Sequence, residues 1–166
     1  LEIFKIKIIS GYFQDSNNIY FSKLFINDFL EFFSNKYNFF EISESSVAVH
    51  IRLGDYLKMK KNLSKSYYLK AIKKLINHSS IKDINIFTDS PHDVLSIYPE
   101  LLELDLGISI FSNDDELVDL IALSNHKYII GSLSSFTWIA SYFGEHKMVI
   151  FHEDLWLPVD KDYFIK

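Results

Sequence analysis

Short apolar runs alternate along this chain with longer stretches in which apolar side chains return every three or four residues. Ile6 to Ile9, Val47 to Ile51, Ile84 to Phe87, Ile108 to Phe111, Tyr128 to Ile130 and Met148 to Phe151 are the short runs. They are rich in β-branched residues and predict strands, with Val47 to Ile51 a buried one. Between them, Phe21, Leu24, Phe25, Phe29 and Phe32 fall on one helical face, and so do Tyr68, Leu69, Ile72, Leu75 and Ile76. Leu117, Leu120, Ile121 and Leu123 mark a helix from about Asp115 to Ser124. Asp15 to Asn18 precede the first of these helices as cap-type residues, and Ser66 can cap the second. Pro91 suits the first turn of a helix after the Ile84 strand. Ser134 or Ser135 starts a helix that runs to about Phe143, where Gly144 stops it. Ser43 to Ser46 read as a turn. This alternation predicts an α/β fold, a Rossmann-like parallel sheet with helices on both faces, over residues 1–166 as a single domain.

Composition narrows the class. A chain of 166 residues with 48% hydrophobic and 16% aromatic side chains can bury a real core and is globular. No apolar run approaches the roughly 18–20 residues that span a bilayer, so no transmembrane segment is expected. The first residues, Leu1-Glu2-Ile3-Phe4-Lys5, lack the basic region and long apolar stretch of a secretory signal. A cytoplasmic place, or a peripheral one at a membrane, is the expectation. A start at Leu rather than Met is expected of a piece of a longer protein. The chain has no cysteine, which removes disulfides, thiolate catalysis and Cys-ligated metals. A net charge of −5 argues against a nucleic-acid partner. The most basic segment, Lys58-Met59-Lys60-Lys61 with Lys65, reads as a solvated loop and helix entrance just downstream of Arg52. His78, His92, His126, His146 and His152 show no i, i+4 pair, and no metal site is expected.

The candidate chemistry gathers where strands end. His50-Ile51-Arg52-Leu53-Gly54-Asp55-Tyr56 follows the apolar run abruptly, and in open α/β sheets ligands bind beyond the carboxyl ends of strands. A permanent cation with a glycine beside it suits an anion such as a phosphate. An Arg–Asp ion pair that closes a loop accounts for the same residues, and both readings are open here. Thr88-Asp89-Ser90, Ser112-Asn113-Asp114-Asp115 and Gly131-Ser132-Leu133-Ser134-Ser135-Phe136-Thr137-Trp138 lie on the same expected rim. A Ser-Ser pair opening a helix offers hydroxyls, free N–H groups and the positive end of a helix dipole, a setting for phosphate. Ordinary capping accounts for one such serine equally well. Asp89, Asp114 or Asp115 could accept N–H donors from a guanine edge or hydroxyls from a ribose; helix capping is the plainer role of the last two. Leu133 stands where a nucleophile elbow needs serine, and neither a P-loop nor G-x-G-x-x-G is present. Trp138, with Phe136, Tyr142 and Phe143, reads as core, and the lone Asp160-Lys161-Asp162 as a solvated tail.

Taken in order, these segments resemble the α-1,2-fucosyltransferases of glycosyltransferase family 11. His50-Ile51-Arg52-Leu53-Gly54-Asp55-Tyr56 resembles that family's H-x-R-R-G-D-Y motif, and Ser134-Ser135-Phe136-Thr137-Trp138-Ile139-Ala140 its N-S-S-F-S-W-W-A segment. Asp119-Leu120 with Ser124 is similar to a D-L-x-x-M-S helix, Gly11-Tyr12-Phe13-Gln14 to a G-Y-F-Q element, and Thr88-Asp89-Ser90 to an S-D-D element. The resemblance implies the C-terminal, nucleotide-sugar half of a two-domain GT-B type enzyme, with the N-terminal half absent. It implies inverting, metal-independent transfer of L-fucose from GDP-fucose to a hydroxyl of a galactoside-containing glycan, with no cofactor. Arg52 would then be the catalytic group, neutralising charge on the β-phosphate as the fucosyl bond breaks. Ser134, Ser135 and the backbone at Phe136 would hold the phosphates. His50, Asp55, Asp89 and Asp114 or Asp115 complete the implied donor site. Leu53 replaces the second Arg, Leu133 the Asn before the serine pair, and Ile139 the second Trp. These departures keep two alternatives open: a transferase using another nucleotide sugar, and a non-catalytic nucleotide-sugar-binding fragment.

Overall fold

The structure, a computed structural model, describes residues 43–155, 157 and 164–165. The expected Ile6–Ile9 strand, the Phe21–Phe32 helix, the Gly11–Gln14 element and Asp160–Asp162 lie outside the described residues. Among the described residues the strands are β1 (Ser46–Ile51), β2 (Asp83–Thr88), β3 (Gly107–Phe111), β4 (Tyr128–Ile130), β5 (Met148–His152) and the two-residue β6 (Phe164–Ile165). They pair in the order β3-β2-β1-β4-β5-β6, and every pairing is parallel. The helices are α1 (Gly54–Met59), α2 (Lys65–His78), α3 (Val94–Ile97), α4 (Glu116–Ser124) and α5 (Ser135–Phe143), with a 3-10 turn at Pro99–Glu103. The α/β, Rossmann-like class expected from the alternating pattern is the one observed.

The strand β1 explains the shape of the core. Every residue from Ser46 to Ile51 is buried, because the sheet is covered on both faces. Val47, Val49 and Ile51 point to one side and pack with Tyr68, Ile72 and Leu75 of α2, Val94 of α3 and Leu101 of the 3-10 turn. Ala48 points to the other side, where Leu123 of α4 and Trp138 and Ala140 of α5 close a second core. Trp138 is fully buried, its ring 5.1 Å from that of Tyr142 and inclined at 69°. That matches its reading as core.

Several element ends differ from expectation. The cap of α2 is Ser64, whose Oγ accepts from the N–H of Tyr67 at 3.3 Å; Ser66 lies two residues later, inside the first turn, and its hydroxyl is 2.8 Å from Ser64 Oγ. The helix α1 falls in a stretch read as loop; it buries none of its residues, so it carries no apolar stripe to betray it. After Pro91 the chain makes a turn closed by Asp93 N–H to Ser90 O, and helix begins only at Val94. Gly144 does end α5, but with extended backbone (φ −104°); a side chain there would meet the carbonyl of Ser124. Among the described residues no helix is long and apolar enough to cross a membrane.

Candidate functional site

The strand order reverses between β1 and β4: β2 and β3 lie to one side of β1, β4 and β5 to the other. Such a switch point opens a crevice beyond the carboxyl ends of the two strands. Register decides which side chains meet there. Ile51 pairs with Thr88, so the next residues, Arg52 and Asp89, emerge side by side. Val49 pairs with Ile130, so His50 emerges beside Gly131 and Ser132.

Arg52 is held by two carboxylates through one nitrogen. Its Nε donates to Asp55 Oδ1 at 3.1 Å, and Asp89 Oδ2 lies 3.0 Å from the same atom. The guanidinium carbon sits 5.9 Å over the ring of Tyr56, within cation–π range. Asp89 Oδ1 also accepts from the backbone N–H of Leu53 at 2.8 Å and of Gly54 at 3.3 Å. The close approach that Gly54 permits is therefore made by the Asp89 carboxylate. A Cβ on Gly54 would lie 2.5 Å from Asp89 Oδ2. The Arg52–Asp55 ion pair anticipated as a loop closure is real, and it leaves the terminal nitrogens of Arg52 without a hydrogen bond to any described residue.

His50 forms the floor. Its ring is buried, with Nδ1 at 2.9 Å from Ser132 Oγ and 2.5 Å from Thr137 Oγ1, and with the Phe136 ring 5.3 Å away. Burial pulls its pKa down to about 4, the Asp89 charge opposing and the Arg52 charge assisting. The imidazole is neutral at pH 7. Tyr56 Oη donates to the carbonyl of Leu133 at 2.8 Å and ties the arginine segment to the serine segment. Burial, with the charges of Asp55 and Asp89, raises the pKa of that phenol and keeps it a donor.

These residues border a cavity of about 260 Å³ lined by His50, Arg52, Phe87, Thr88, Asp89, Ser112, Asn113, Glu116, Asp119 and Phe136. The lining combines the Arg52 guanidinium with the carboxylates of Asp89, Glu116 and Asp119. Asp119 accepts from the backbone N–H of Asn113 at 3.1 Å and from its side-chain amide. Of the residues anticipated for a donor site, His50, Arg52, Asp89 and Phe136 line this cavity. Asp55 stands behind Arg52. Asp115 caps α4, its carboxylate accepting from Leu117 N–H at 3.0 Å, and Asp114 is exposed in the loop before it. Ser134 caps α5 by accepting from Phe136 N–H at 3.2 Å, and Ser135 opens the helix; neither lines the cavity. Glu116 and Asp119 were missed as site residues. Both lie in the first turn of the helix that follows β3, and their one signal is its place on the rim where the other polar segments end. Leu53, in place of a second Arg, is fully buried in the core.

This is the switch-point site of a parallel α/β fold. The same fold occurs in solved structures of POFUT1. The chain matches POFUT1 in complex with GDP at TM-score 0.55 and 15% identity, over 80% of this chain and 48% of that one. It matches POFUT1 in complex with GDP-fucose at TM-score 0.55 and 16% identity, over 80% and 47%. At that identity the likeness is one of fold, and the chain spans about half the length of those structures. No family model matches the chain, and no curated protein does.

Proposed function

We propose that this chain forms the donor-binding part of a GDP-fucose-dependent glycosyltransferase. The observation that carries the reading is the placement of Arg52 at the switch point, gripped by Nε, with its terminal nitrogens beside a polar cavity. A guanidinium so held can receive a diphosphate through two parallel N–H donors. When the bond between the fucosyl carbon and the β-phosphate oxygen breaks, both bonding electrons go to that oxygen. Arg52 stabilises the charge that develops there, which is the largest single contribution in many transfers of this kind. The acceptor hydroxyl of a galactoside-containing glycan attacks from the opposite face and loses its proton to solvent, forming the new glycosidic bond with inversion and with no metal in the step.

Asp119 and Glu116 line the cavity and Asp114 and Asp115 do not, so the first two are better placed to accept N–H donors from a guanine edge. A uracil edge has fewer such donors, which favours GDP over UDP. The neutral His50 beside Phe136 suits contact with the base or ribose. The α5 N-terminus, with Ser134 and Ser135, adds a favourable dipole for the phosphates. The buried Leu53 supports a second reading, a nucleotide-sugar-binding unit that does not itself catalyse transfer, because one cation of the motif is missing.

Saturation-transfer NMR with GDP-fucose and with UDP-galactose tests donor choice. Signal on the guanine and fucose protons alone supports the first reading; equal signal from both donors overturns it. An assay for fucose transfer to a galactoside then separates enzyme from binding unit.

A further inference from the structure

We propose that Asp89 is a positioning residue for Arg52, and that Gly54 is small in order to let it act. The two residues are brought together by backbone register, since Ile51 pairs with Thr88 and each chain continues by one residue. The carboxylate then works in two directions. Its Oδ2 lies 3.0 Å from Nε of Arg52, while its Oδ1 accepts from the N–H of Leu53 at 2.8 Å and of Gly54 at 3.3 Å. One side chain just beyond β2 thus pairs with the guanidinium and holds the turn that follows Arg52. Asp55 takes the hydrogen bond from Nε and Asp89 the ion pair, but the Asp55 side chain is 46% exposed against 24% for Asp89, and it is the Asp89 carboxylate that also accepts from backbone N–H groups. Asp55 can leave for solvent; Asp89 is tied down.

The consequence is directional. With two carboxylates gathered at Nε, the guanidinium is anchored at that atom, and its terminal nitrogens make no hydrogen bond to any described residue, which leaves them for a ligand in the cavity that Arg52 lines. A planar fork binds a phosphate through two bonds only when it is presented in that way. Misplacement by about 1 Å can cost on the order of 100-fold in a site of this type. A Cβ at position 54 would lie 2.5 Å from Asp89 Oδ2, so any larger residue there pushes the carboxylate off Arg52 without touching the arginine itself. The effect on nucleotide binding rests on the function proposed above; the grip on Arg52 does not.

Two variants of the full chain test this, Asp89→Asn and Gly54→Ala, read by 15N NMR of the Arg52 Nε–H group. In the wild type that group is expected to be ordered almost as well as the backbone. In both variants its order parameter is expected to fall below about 0.6. GDP affinity is expected to fall roughly 10- to 100-fold in parallel, in line with the misplacement cost above. A residue that only stabilised the fold would lower the melting temperature and leave the Nε–H order unchanged, and that result overturns the proposal. If Asp89→Asn does not fold, Gly54→Ala decides, since it keeps every charge. If the wild type binds no GDP, the nucleotide reading fails while the comparison of Nε–H order still decides the grip.

Discussion

The phenol of Tyr56 donates a hydrogen bond of 2.8 Å to the backbone carbonyl of Leu133, joining the segment after β1 to the segment after β4. The two strands are neighbours in the sheet, but their following segments diverge around the crevice, and this bond ties them across it. The same ring lies under the Arg52 guanidinium. Tyr56→Phe keeps the ring and removes the bond, leaving the partly buried carbonyl of Leu133 unpaired. A loss of about 1 kcal/mol in unfolding free energy is expected, together with GDP binding weakened several-fold. Urea unfolding and calorimetry check the two effects, and a variant unchanged in both would show that the tie has no weight.

Leu53 stands where the resembled motif has its second Arg, and it is fully buried among Val49, Ile51 and the residues of α2. Leu53→Arg therefore places an unpaired charge in the core. The expected cost is about 3–5 kcal/mol, read as a large drop in melting temperature. A variant that melts like the wild type and binds GDP more tightly would mean that position 53 can reach the cavity after all.

Acid weakens the fold through two buried histidines. His50 and His126 both have pKa values lowered to about 4, in each case chiefly by burial. His126 is satisfied as the neutral ring, with Nδ1 at 2.8 Å from the Ala122 carbonyl and Nε2 at 2.9 Å from the Asn85 amide. In the unfolded chain each ring titrates near its ordinary value of about 6.5. The unfolded state thus binds more protons between about pH 6.5 and 4, and stability falls as pH falls through that window. Each histidine contributes up to about 1.4 kcal/mol per pH unit there. Urea titrations at pH 7, 6 and 5 check this, and His126→Gln is expected to make the dependence shallower. A flat profile would contradict the neutral, buried assignment.

Trp138 fills the core on the α4 and α5 side of the sheet and is fully buried. Trp138→Ala is expected to cost about 3–5 kcal/mol. Lost GDP binding with an unchanged melting temperature would instead make this ring a ligand contact.

The strands β1 to β5 and the helices α2, α4 and α5 were legible because their patterns are strong. Val47 to Ile51 is apolar except for His50, as suits a strand covered on both faces, and α2 repeats its apolar side chains at helical spacing. The rim was legible for the same reason, since polar residues follow each strand directly. What escaped was anything set by register or by contact between distant segments. Asp89 was read as a group for ribose or guanine and does line the cavity; its pairing with Arg52 was not legible, because no local pattern shows that it will emerge beside that residue. Gly54 was read as room for a ligand, and the room is taken by Asp89. Glu116 and Asp119 were hidden by their position in an ordinary acidic first turn, where the macrodipole alone accounts for them. The helix α1 escaped because it buries no face.

The central claim is that Arg52 binds the diphosphate of a guanine nucleotide. Calorimetric titration of the chain with GDP, GDP-fucose and UDP, repeated on Arg52→Ala and Arg52→Lys, tests it most directly. The account predicts binding of both guanine ligands over UDP, loss in Arg52→Ala with the melting temperature retained, and poor rescue by Lys, whose point charge cannot reproduce a planar fork. Wild-type affinity in Arg52→Ala, or equal binding of GDP and UDP, would contradict it.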